Sequence, residues 1–162
     1  MVAAFYREMP VNGPCRILTV DDEASVTLSL KFVFPKPHYE VLCVASGEAA
    51  LANLEADPNP YDVIIVDQKM PNLTGVELVE AIRARGIPGE IIIISAHLSS
   101  EMRQAYERLK VHAIFPKPFD IEKLRSTVSR LAAPDTDSST TPQKKDSLPG
   151  GRGSLESASP TS

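Results

Sequence analysis

The chain has 162 residues, 43% of them hydrophobic and 23% charged, which suffices for one α/β core with a flexible end but hardly for two domains. A net charge of -4 argues against nucleic-acid binding by a broad basic surface, so no nucleic-acid partner is expected. Nothing is long and apolar enough to span a bilayer and residues 1–14 lack a signal peptide's apolar run, so a cytoplasmic protein without a membrane partner is expected.

The first predicted strand, 15–20, runs through Ile17-Leu18-Thr19-Val20 into Asp21-Asp22. An apolar-rich helix near 23–34 is closed by Pro35 and Pro37, and Tyr39 to Val44 form the second strand. A short helix, about 47–56, carries Ala50, Leu51 and Leu54 on one face. Asp57-Pro58-Asn59-Pro60 breaks it before the third strand, Val63-Ile64-Ile65-Val66, which stops at Asp67. The third helix, about 74–85, has Val76, Val79 and Ile82 at helical spacing, with Gly86 and Pro88 closing it. Ile91 to Ile94 run into Ser95, and Ser99 or Ser100 caps a fourth helix in which Met102, Ala105, Tyr106 and Leu109 recur on one side. Ala113-Ile114-Phe115-Pro116 run into Lys117, and a fifth helix starts at Asp120 with Ile121, Leu124, Val128 and Leu131 as its inner stripe. No internal repeat is visible.

Five βα units with right-handed crossovers predict an α/β protein: a flavodoxin-like (βα)5, doubly wound parallel sheet of order 2-1-3-4-5. Cys15 begins the first strand and Cys43 lies late in the second, so on parallel neighbours they fall about 10 Å or more apart at roughly 3.3 Å per residue. That is too far for a bridge, and two free thiols are expected. Beyond Ala133, Ser, Thr, Pro and Gly make up 18 of the last 29 residues, a composition expected to stay disordered as a solvated tail, with a partner-binding segment as the alternative.

The four polar strand endings meet at one rim in such a sheet, at the switch point and beside it. Asp21, Asp22 and Asp67 form an oxygen-ligand site for a hard divalent ion, with Mg²⁺ the natural candidate. Lys117 supplies a mobile positive charge for a phosphoryl group, Ser95 a hydroxyl for the same oxygens, and Asp67 the nucleophile.

With these residues in place, the sequence resembles the receiver domains of bacterial two-component response regulators. The motifs are Leu18-Thr19-Val20-Asp21-Asp22-Glu23, Asp67-Gln68-Lys69-Met70-Pro71 with Gly75, Ser95-Ala96-His97, and Phe115-Pro116-Lys117-Pro118-Phe119. The resemblance divides the chain into a flexible segment 1–13, a receiver domain 14–133 and the tail 134–162. It implies that Asp67 accepts a phosphoryl group from a histidine kinase or phosphotransfer protein. It also implies that Asp22 binds Mg²⁺ directly and Asp21 largely through water, and that the Lys69 carbonyl adds a ligand. Ser95 would swing toward the aspartyl phosphate, Lys117 would pair with it, and Lys117-Pro118 would be cis. Such a protein is a phosphoacceptor rather than an enzyme, catalysing only its own Mg²⁺-dependent phosphorylation and dephosphorylation.

Three departures stand out. Ile114 occupies the position of the family's aromatic switch, with Phe115 beside it pointing to the opposite face. Lys69 and His97 flank the site and either gate water or remain solvated rim residues. Pro35-Lys36-Pro37-His38 replaces the usual glycine-containing turn. A Rossmann nucleotide fold lacks its Gly-rich turn here, and a haloacid-dehalogenase-type phosphohydrolase would want Asp where Lys69 stands. The remaining segments accommodate no output domain. A stand-alone receiver is therefore expected, acting through a downstream protein by way of the fourth helix, fifth strand and fifth helix, with a homodimer through that face left open.

Overall fold

Short β-branched runs punctuated by Pro, Gly and Asp bury both their faces most completely inside a parallel sheet covered on each side. The computed structural model describes residues 13–132 and follows this logic: β1 (Cys15–Val20), α1 (Ala24–Val33), β2 (Tyr39–Val44), α2 (Gly47–Ala56), β3 (Val63–Asp67), α3 (Gly75–Ala84), β4 (Glu90–Ser95), α4 (Ser100–Arg108), β5 (Ala113–Pro116) and α5 (Ile121–Ala132). All four strand pairings are parallel and the order is β2-β1-β3-β4-β5, as expected from the sequence. The segments read as a flexible amino end and a disordered tail lie, apart from Gly13, outside the described residues.

Alternate strand residues feed two cores. Leu18, Val20, Ile64, Val66, Ile91 and Ile93 pack with Leu78, Val79 and Ile82 of α3 and Tyr106 of α4. Ile17, Val63, Ile65, Ile92 and Ile94 pack with Leu30 and Val33 of α1 and Leu124 and Val128 of α5. Each such aliphatic side chain contributes about 1.5–3 kcal/mol when withdrawn from water. β3 is buried throughout, so Asp67 is carried into the protein by its own strand.

The helix starts are set by polar caps. Ser46, Thr74 and Ser99 each accept a bond from the backbone N–H three residues on, and Thr74 with Glu77 completes a capping box. Asp120 caps α5 by accepting from the N–H groups of Glu122 and Lys123, so the helix begins one residue later than expected. The inner stripe of α5 also needs correction. Ile121 is 47% exposed, because it sits in the first turn, beyond the sheet's cover. Thr127 is buried instead, its hydroxyl donating to the Lys123 carbonyl at 2.8 Å. Gly86 leaves α3 at φ 64, the left-handed conformation a helix end favours.

Cys15 and Cys43 are free. Cys15 pairs with Tyr39 and Cys43 with Thr19, which separates the thiols along the sheet. Burial, aided by Asp62, pushes the Cys15 thiol up to about 12, an unreactive state. The Lys117-Pro118 bond is cis, and so is Lys36-Pro37, which the sequence reading did not foresee.

Candidate functional site

The sheet's register sets the site. Val20 pairs with Val66, so Asp21 and Asp67 end adjacent strands at one level. Asp67 pairs with Ile94, one residue short of Ser95, and Ser95 pairs with Pro116, one residue short of Lys117. The carboxylate oxygens of Asp21, Asp22 and Asp67 come within 4.8 Å of one another. Asp21 and Asp67 are each only 4% exposed, whereas Asp22 faces solvent.

Lys117 Nζ reaches both buried acids, standing 3.3 Å from Asp67 Oδ1 and 3.3 Å from Asp21 Oδ2. It also lies 3.7 Å from Glu23 Oε1, a partner not singled out from the sequence. The Glu23 N–H donates to Asp21 Oδ1 at 2.8 Å and fixes that carboxylate at the entrance to α1.

Burial raises the pKa of Asp67, and the Asp21 charge raises it further, more than Lys117 and the Lys69 N–H offset. Burial likewise raises Asp21 against the lowering effect of the Glu23 N–H and Lys117. For Lys117 burial opposes the charge, but Asp21 and Asp67 outweigh it, so the ammonium is held above its ordinary pKa. Three carboxylates against one close ammonium leave negative charge uncompensated. An all-oxygen donor set with one open, exposed side fits a small hard divalent ion such as Mg²⁺.

The other residues expected at the site divide into two groups. Ser95 is buried, and its hydroxyl donates to the His97 carbonyl at 2.6 Å. His97 therefore contributes its main chain, while its imidazole and the Lys69 side chain belong to exposed rim residues. The Lys69 N–H lies 3.4 Å from Asp67 Oδ1. Ile114 packs on the α3 side of the sheet and Phe115 on the α5 side, as strand alternation requires.

Gln68 stands in the Asp67-Gln68-Lys69 motif, but the sequence gives it no role of its own. It is 5% exposed, its N–H donates to the Ile94 carbonyl and its own carbonyl accepts from Gly75 N–H, both at 3.0 Å. Its side-chain Oε1 accepts from the hydroxyl of Tyr106, which is fully buried. Burial, and then the Asp67 charge, push the Tyr106 phenol above its ordinary range, so it stays a donor. The available signal was a tyrosine on the inner stripe of α4, whose polar tip must find a partner.

Residues 17–129 match the response regulator receiver domain family. The chain belongs to that family. Over 115 residues it is 30% identical to sporulation initiation phosphotransferase F of Bacillus subtilis, covering 71% of this chain and 91% of that protein. It is 34% identical over 117 residues to the regulatory protein AtoC of Escherichia coli, covering 71% of this chain but 24% of AtoC. Among solved structures, chemotaxis protein CheY4 of Vibrio cholerae superposes with a TM-score of 0.65 at 31% identity, over 73% of this chain and 98% of that chain. The receiver domain of Francisella response regulator 1452 gives 0.65 at 29% identity, over 72% and 94%.

Receiver domains take a phosphoryl group from histidine kinases or phosphotransfer proteins, generally bind Mg²⁺ through acidic residues, and are typically non-enzymatic signalling proteins. Among the described residues of this receiver, no helix is long and apolar enough to cross a membrane.

Proposed function

We propose that this receiver, residues 14–133, works as a stand-alone cytoplasmic phosphoacceptor, taking a phosphoryl group on Asp67 and signalling through phosphorylation-dependent protein contacts. The observation that carries this reading is the single ammonium of Lys117 held 3.3 Å from both Asp67 and Asp21 beside a third carboxylate. That arrangement balances a charge which changes during the reaction.

An Asp67 carboxylate oxygen attacks the phosphorus of a phosphohistidine. The P–O bond forms as the P–N bond breaks, and the departing electron pair stays on the imidazole nitrogen, which takes its proton from solvent. Lys117 remains paired with Asp67 and balances the added phosphoryl charge. The Ser95 hydroxyl exchanges the His97 carbonyl for a phosphoryl oxygen. Asp21, Asp22, Asp67 and the Lys69 carbonyl would hold Mg²⁺, which would supply further positive charge to offset that of the transferred group. The protein thus catalyses its own phosphorylation and, with water as nucleophile, its own dephosphorylation.

The acyl phosphate adds about -1.5 to -2 charges, enough to bias a two-state loop. Ser95 ends β4 at the loop into α4 and Lys117 directly follows β5, so α4, β5 and α5 form the output face toward a downstream protein or a second copy. The phosphodonor docks on α1, which starts directly beyond Asp22 and Glu23 and presents Leu28 and Phe32, 58% and 78% exposed.

Acetyl phosphate or beryllofluoride tests the assignment, with and without Mg²⁺. The wild-type protein should take base-labile label only with Mg²⁺, and Asp67→Asn none. Undiminished labelling of Asp67→Asn, or full labelling in chelator, would overturn the reading.

A further inference from the structure

We propose that Tyr106 and Gln68 are positioning residues whose buried hydrogen bond ties α4 to the Asp67 loop and holds the unphosphorylated arrangement in place. The proposal rests on the phosphoacceptor reading and adds the route by which the state of Asp67 reaches α4.

Gln68 directly follows Asp67 and is tied at three points. Its N–H donates to Ile94 of β4, its carbonyl accepts from Gly75 at the start of α3, and its side chain accepts from Tyr106 of α4. Three elements therefore converge on the residue next to the phosphoacceptor. The walls are tight. A methyl group at Gly75 would stand 2.7 Å from the Tyr106 hydroxyl oxygen and 2.8 Å from Gln68 Cα, so only glycine leaves room for the tyrosine tip. A close-packed contact of this kind switches between discrete arrangements rather than deforming smoothly.

α4 has a second tie to the site. Ser95 bonds the His97 carbonyl, and Ser99, two residues further on, caps α4 through the Met102 N–H. When Ser95 exchanges that carbonyl for a phosphoryl oxygen, the loop 96–99 must shift and draw on the helix it caps. The Tyr106–Gln68 bond opposes that displacement, because moving α4 away would leave a buried hydroxyl and a buried amide oxygen without partners. β5 carries Ile114 rather than an aromatic residue on the face that packs with α3, and the aromatic side chain bonded to the residue next to Asp67 comes from α4.

The test uses the whole 162-residue chain, isotope-labelled, with the ring-preserving Tyr106→Phe, with Gln68→Leu and with both together. Metal-free amide spectra are compared with those of wild-type protein bound to Mg²⁺ and beryllofluoride. Each single variant should move the signals of residues 95–100 and of α4 toward the beryllofluoride-bound positions. Each should also raise the initial rate of labelling by acetyl phosphate about threefold or more, and the double variant should add little to either. A merely structural bond would lower Tm while leaving residues 95–100 and the labelling rate unmoved. That result, or two fully additive single effects, overturns the proposal. If the wild-type protein takes no label, the phosphoacceptor reading fails separately. The metal-free spectra then decide the coupling: shared, non-additive shifts at residues 95–100 support it, and shifts confined to neighbours of the altered side chain refute it.

Discussion

The hydroxyl of Ser95 donates to the main-chain carbonyl of His97, 2.6 Å away, and so is engaged inside its own loop. A phosphoryl group on Asp67, as proposed, would give that hydroxyl a stronger, charged acceptor, and the loop would have to rearrange for the exchange. Ser95→Ala should therefore still be labelled at Asp67. The amide shift changes that beryllofluoride induces across α4 should fall to about half or less of the wild-type response, since the group reading the phosphate is gone. Full-sized changes in α4 would show that Ser95 is not the reader.

Asp67 is a buried charge whose own environment disfavours it. Its folded-state pKa is raised, so folding favours the protonated form. The resulting destabilisation is fully present above the folded-state pKa, and it disappears as pH falls through that value toward the ordinary carboxylate range. In metal-free buffer at pH 7, Asp67→Asn should melt about 3–5 °C above wild type, the response of a domain this size to roughly 1 kcal/mol. The gap should close on acidification, and Mg²⁺ should raise the wild-type Tm more than that of the variant. Calorimetry across this pH range checks both, and a variant less stable than wild type at pH 7 would contradict the charge argument.

Lys69 and His97 are exposed residues flanking the site. If they line the approach of water to the phosphate, replacing either with Ala should change the rate of autodephosphorylation severalfold, about 1 kcal/mol in barrier. Stability should stay within about 0.5 kcal/mol, as for ordinary surface substitutions. Decay of the phosphorylated protein at fixed Mg²⁺ is the measurement, and unchanged rates in both variants leave them as solvated rim residues.

Leu28 and Phe32 lie four residues apart on the outer side of α1, and Phe32 is 78% exposed. Exposed apolar side chains on a helix that starts at the reaction site are natural anchors for a partner. Phe32→Ser should slow phosphotransfer from a histidine kinase that phosphorylates the wild-type chain by about tenfold, roughly 1.4 kcal/mol. Labelling by acetyl phosphate should not change, because a small donor needs no docking surface. Equal slowing with both donors would place the defect in the site rather than in recognition.

The sequence alone determined the strand order and the four polar endings Asp21-Asp22, Asp67, Ser95 and Lys117. An apolar run in a parallel sheet ends where the chain leaves the core, and right-handed crossovers leave few ways to arrange five such runs. It also determined that Ile114 and Phe115 face opposite ways, since alternation is local. Only the tertiary structure decided that Lys117 bridges Asp67 and Asp21 while touching Glu23, that the Ser95 hydroxyl turns to its own loop, and that Ile121 lies outside the core. The same holds for Tyr106, which finds Gln68 from 38 residues away, in the space that Gly75 leaves open. Periodicity along a chain encodes which face of an element is buried. Which group lies across from it depends on how elements distant in sequence pack, and that is set by volumes and distances no single segment contains.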